Sequence, residues 1–65
     1  MYVEVKRAKT LMIAETWKDL FEGEGVPSRI APVSGIENMG QELTEYRILV
    51  PEDRKSVVKE ILRKL

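Results

Sequence analysis

The order of hydrophobic periods along this chain predicts an α+β fold: strand, helix, strand, strand, helix. Assembled, these make a β-α-β-β-α two-layer plait, ferredoxin-like but lacking the last strand. Two stripes of helical period alternate with runs of two-residue period. Glycine and proline mark the breaks, with Gly23, Gly25 and Pro27 after the first helix and Pro32, Gly35 and Gly40 before the last strand. The 65 residues are read as a single domain, 1–65, with no repeat and no internal linker.

The first strand is Tyr2-Val3-Glu4-Val5-Lys6-Arg7. Strict alternation puts Val3 and Val5 on one face and Tyr2, Glu4 and Lys6 on the other. Thr10 offers a side-chain oxygen where the first helix begins. That helix runs to Glu22, with Ile13, Ala14, Trp17, Leu20 and Phe21 along one stripe. Lys18 and Glu22 form an i,i+4 pair outside it. Gly23 and Gly25 end the helix, because glycine enters the left-handed region at little steric cost. The second strand covers Ser28–Val33, and Pro32 marks it as an edge strand. Ser34–Gln41 is a loop. Glu42–Val50 is the third strand, with Thr44, Tyr46, Ile48 and Val50 on one face and Glu45, Arg47 and Leu49 on the other.

Pro51-Glu52-Asp53 opens the second helix, where proline is tolerated and carboxylates favour the positive end of the helix dipole. Val57, Val58, Ile61, Leu62 and Leu65 form its stripe, and Glu60 pairs with Lys64. The helical connection makes strands one and two parallel, and the loop makes strands two and three a hairpin. Strand three then sits in the middle of a three-stranded sheet, and both helices cover one face.

Composition narrows the function. Eleven basic residues balance eleven acidic ones, whereas nucleic-acid binding needs an excess of Lys and Arg on one face; no nucleic-acid partner is expected. No run approaches the ~20 apolar residues of a membrane span, and Met1–Lys6 alternates charge with apolar residues, unlike a signal peptide. The expected location is the cytoplasm. The chain has no histidine and no cysteine, which removes the commonest metal ligands, general base and thiol nucleophile. Glu15, Asp19 and Glu22 line a solvated helix face, and Ser28, Ser34 and Ser56 have no base to activate them. No enzymatic activity, cofactor or metal is expected. A domain this small buries only about 60% of its extended surface, so a homodimer or other protein partner is expected.

Three features remain for binding. The uncovered sheet face carries Tyr2, Glu4, Lys6, Arg47 and Leu49, either as a solvated surface or as a partner face centred on Tyr2 and Leu49. The loop carries Ile36 and Met39, apolar residues that either dock a partner or fold back on the sheet edge. Arg54 falls in line with Val57, Val58 and Ile61 by helical spacing. It is either a snorkelling side chain over the core edge or a candidate anion contact.

Ala8, Ala14-Glu15, Leu20, Glu22, Gly25-Val26-Pro27 and Val50-Pro51-Glu52-Asp53 before a closing helix resemble the motifs of a family of small bacterial domains. That family is described as prokaryotic signal-transducing proteins of unknown function. Where it commonly carries a carboxylate before the helix alanine, this chain has Ile13. The family is similar in fold to the nitrogen-regulatory PII signal proteins. The resemblance therefore implies ligand sensing or protein binding through the Ser34–Gln41 loop. The long nucleotide-binding loops of PII proteins have no counterpart here, so ATP binding is not carried over. The expected function is a non-enzymatic regulatory or protein-binding module, self-associating. The alternative is a small-molecule sensor holding an anionic metabolite near Arg54, Arg47 or the loop.

Overall fold

A computed structural model of the chain describes residues 1–33 and 45–65. Its elements run β1 (Tyr2–Ala8), α1 (Leu11–Gly23), β2 (Arg29–Pro32), β3 (Tyr46–Pro51), a 3-10 turn (Glu52–Arg54) and α2 (Lys55–Arg63). The fold is α+β. The three strands form one open sheet in the order β1-β3-β2, with β3 antiparallel to both neighbours.

Local chemistry sets the limits of α1. The Thr10 hydroxyl accepts from the Ile13 N–H at 3.1 Å, satisfying one of the free donors of the first turn. At the other end Gly25 adopts φ +87°, where a side chain would be strained. The Val26 N–H then reaches the Phe21 carbonyl at 2.9 Å and the Gly25 N–H reaches that of Glu22 at 3.0 Å. This paired closure ends a helix and folds the next residue back on it. Val26 is accordingly buried with Phe21.

The core follows from the strand alternation of β3 and the stripes of both helices. Ile48 and Val50 are fully buried and cluster with Ala8, Ala14, Phe21, Val26 and Val58. Val3, Val5, Trp17, Leu20, Ile30, Tyr46, Ile61 and Leu62 pack around that cluster. The Trp17 and Phe21 rings lie 5.9 Å apart, tilted by 33°, a favourable aromatic separation.

Four expectations need correction. First, alternation in β1 is interrupted. Val3 opposes Val50 and Glu4 opposes Leu49, but Ile48 is opposed by Lys6, leaving Val5 as the extra residue of a β-bulge. Past the bulge the sides exchange, so Lys6 leaves the face of Tyr2 and Glu4. Its ammonium lies 4.8 Å from the Trp17 ring centroid, and Arg7 takes its place on the other side. Second, the chain enters α2 through a 3-10 turn with three residues per turn. Pro51 therefore closes β3 instead of opening the helix, and Arg54, the last residue of the turn, stands directly before α2. Third, Ile13 is 45% exposed. The α1 face that meets the sheet is set by Ala14 and Phe21, seven residues apart, and Ile13 stands one 100° step to the side. Fourth, Glu60 pairs with Arg63 at 3.2 Å rather than with Lys64, while the Lys18–Glu22 pair forms at 3.3 Å.

Candidate interaction surface

The side of β3 turned away from the hydrophobic cluster carries Arg47 and Leu49, the alternates of Ile48 and Val50. Register places their neighbours. Leu49 lies between Glu4 of β1 and Arg29 of β2, and Arg47 lies between Arg7 and Ala31. Tyr2 stands beside Pro51 at the end of the same side. The backbone thus assembles a surface from residues distant in sequence, and no loop is needed to hold them.

Two sets of contacts order it. At one end the Arg29 guanidinium reaches across β3 and lies 4.3 Å from the centroid of the Tyr2 ring, a cation–π distance. Leu49 is half-buried beside that bridge. At the other end Arg7 Nε donates to Glu4 Oε2 at 2.7 Å, with Glu45 at 3.6 Å from Arg7 and Glu4 at 4.0 Å from Arg47. The hydrogen bond from Arg7 is the main reason that the Glu4 carboxyl lies below its ordinary value, against a smaller opposing effect of desolvation. The same bond raises Arg7. Arg47 Nε is buried and has no hydrogen-bond partner among the described residues. The guanidiniums of Arg7 and Arg47 thus face the carboxylates of Glu4 and Glu45, while Arg29 lies over Tyr2 and leaves the surface one net positive charge.

Of the residues that the sequence nominates for binding, Tyr2, Glu4, Arg47 and Leu49 come together on this surface. Lys6 is on the opposite side of the sheet, against Trp17. Arg54 is at the start of α2, where its guanidinium donates to the Gly25 carbonyl at 3.3 Å; it braces the turn that closes α1. Ile36 and Met39 lie outside the described residues. Arg7 and Arg29 were not nominated. Arg29 was legible, since Arg29 and Ala31 alternate with Ile30; Arg7 was not, because only the bulge brings it over.

A separate cleft of about 270 Å³ opens between the end of α1 and α2, lined by Leu20, Val57, Ile61 and Leu65 together with Glu24, Glu60 and Lys64. None of the arginines named above lines it. Among the described residues no three His, Cys, Asp or Glu side chains gather as a metal-ligand set, and no helix is long and apolar enough to cross a membrane.

No family model, no curated protein and no solved structure matches this chain.

Proposed function

We propose that this chain is a non-enzymatic regulatory or protein-binding module that self-associates through its sheet, of the signal-transducing kind that its short motifs resemble. In this reading the β-α-β-β-α order is a ferredoxin-like plait without the last strand, with both helices on one side and the reverse side kept for contact. The observation that carries its protein-binding part is Leu49. This residue sits in the middle strand, on the side away from the hydrophobic cluster, between Glu4 and Arg29. An apolar centre ringed by paired charges is the usual anatomy of a protein contact. One net positive charge on this surface gives a nucleic acid little to hold.

Size decides how such a surface is used. Three strands at 4.8 Å spacing and about 20 Å long present a flat area of about 300 Å². A stable interface takes about 800 Å² from each partner. One copy of this face is therefore too small to hold a partner tightly, and self-association that extends the sheet answers the shortage.

Light scattering on a size-exclusion column, at low and at high micromolar concentration, tests the reading. A mass that rises to twice that of the chain is expected. A monomer throughout the range removes self-association from the proposal.

A further inference from the structure

We infer that two copies of this chain join antiparallel along the free edge of β1, with Glu4 of each copy opposite Arg7 of the other, and so form one continuous sheet. This rests on the self-association proposed above and names its contact.

The sheet has two edges, and they are unequal. β2 is four residues long and ends in Pro32, which has no N–H to offer. β1 is seven residues long and contains no proline. The hydrogen bonds already present show which of its backbone groups have no partner among the described residues. The Glu52 N–H donates to the Met1 carbonyl at 2.8 Å, just beyond the pair of Tyr2 with Pro51. Antiparallel pairs alternate between residues that exchange bonds and residues that do not. Met1 and Val3 therefore point into the sheet, and Tyr2 and Glu4 point out of it.

Past the bulge, Arg7 opposes Arg47, which has the same phase on β3 as Leu49, the partner of Glu4. Arg7 thus points outward as well. The far side of β3 agrees: Glu45, of that same phase, turns its carbonyl toward β2 and accepts from Val33 at 2.8 Å. Among the described residues β3 is the one strand that pairs with β1, so the N–H and C=O of Tyr2, Glu4 and Arg7 face away from every described strand.

Register then selects one pairing. Outward residues must oppose outward residues. Glu4 against Glu4, or Arg7 against Arg7, sets like charges face to face. Tyr2 against Glu4 leaves Arg7 and the second half of the strand unused. Glu4 against Arg7 satisfies both ends at once. The interval between them is the same in each copy, bulge included, and each pair sets opposite charges across the seam. On the other side of the sheet Val3 meets Ala8 and Val5 meets Lys6, with no like charges opposed, and Lys6 is already drawn toward Trp17. Charges and a bulge on an edge strand often serve to block pairing. Here they are complementary in the register that pairs Val3–Ala8 of one copy with Ala8–Val3 of the other. The joined sheet also doubles the reverse face carrying Leu49, leaving it open for a different partner.

Two measurements test this. In the wild-type chain, amide exchange by NMR at low and high micromolar concentration reads the Glu4 and Arg7 N–H groups directly. Both are expected to exchange severalfold more slowly at the concentration where the mass doubles. If the mass doubles and both amides still exchange as free groups, the β1 seam is wrong while self-association stands. If the chain stays monomeric, the seam and the self-association fall together. A charge code gives the second test. Glu4→Arg and Arg7→Glu are each expected to be monomeric alone, because like charges then oppose across the seam, and an equimolar mixture is expected to form a heterodimer. A mixture that stays monomeric, or either folded variant that dimerises alone as the wild type does, overturns the register.

Discussion

β1 and β3 lie side by side on one ladder and carry the same kind of alternating sequence, yet only β3 keeps its alternation. In β3 the buried residues are Ile48 and Val50, and the residues between them face the other way. In β1 the pattern holds through Glu4, meets Val5, and resumes with the sides exchanged. A two-residue period reports side only while the pairing is unbroken. One extra residue in one strand is enough to move Lys6 against Trp17 and to bring Arg7 beside Glu4. β3 escapes because it is paired on both sides, where an extra residue would disturb two ladders.

The largest test of this contrast is within β3. Ile48→Ala is expected to cost about 3 kcal/mol, most of the roughly 3–5 kcal/mol that a core of this size supplies. Leu49→Ala next to it is expected to cost about 1 kcal/mol or less, as a half-exposed side chain. Urea denaturation of the two variants reads the difference; equal losses would mean that the two sides of β3 are not distinct.

A smaller effect is expected from deleting Val5. Glu4 already opposes Leu49 and Lys6 already opposes Ile48, so the deletion leaves every other β1 side chain on its present side. The chain should fold and lose about 1 kcal/mol, the contacts of one half-buried valine. Deleting Val3 instead brings Tyr2 opposite Val50 and should cost more. A Val5 deletion that fails to fold would show that the bulge carries strain relief or packing beyond that valine.

The smallest effect concerns Glu4 and pH. Its carboxyl is lowered from 4.5 in the folded chain, chiefly by the hydrogen bond from Arg7. A group lowered on folding contributes stability above its unfolded value and loses it as pH falls through the folded one. Stability should therefore decline from about pH 5 downward, and Glu4→Gln should decline less steeply over that range. The pair is exposed, so the gap between the two urea-midpoint curves should be small. Parallel curves would mean that Arg7 does not hold Glu4 in solution.

Most of the elements were legible, and so was part of the surface. Thr10 announced the start of α1, and Gly23 and Gly25 announced its end, because capping is a matter of a few consecutive residues. Ile48 against Leu49 was legible because β3 is regular. Tyr2, Glu4, Arg47 and Leu49 were placed together correctly for that reason. Lys6, Ile13 and the start of α2 differ from that reading. In each case a local signal runs past a point where the backbone changes it: a bulge, a helix rotated to seat Ala14 and Phe21, and a 3-10 turn.

Local chemistry written into consecutive residues was enough to specify the order of strands and helices, both caps of α1 and most of the two apolar stripes. Those features depend on interactions within about one turn or one pleat. The bulge at Val5, the Tyr2–Arg29 bridge across β3 and the brace from Arg54 to Gly25 came only with the tertiary structure. They depend on which residues of distant segments meet, and that is decided by how the ladders align and the helices seat on the sheet.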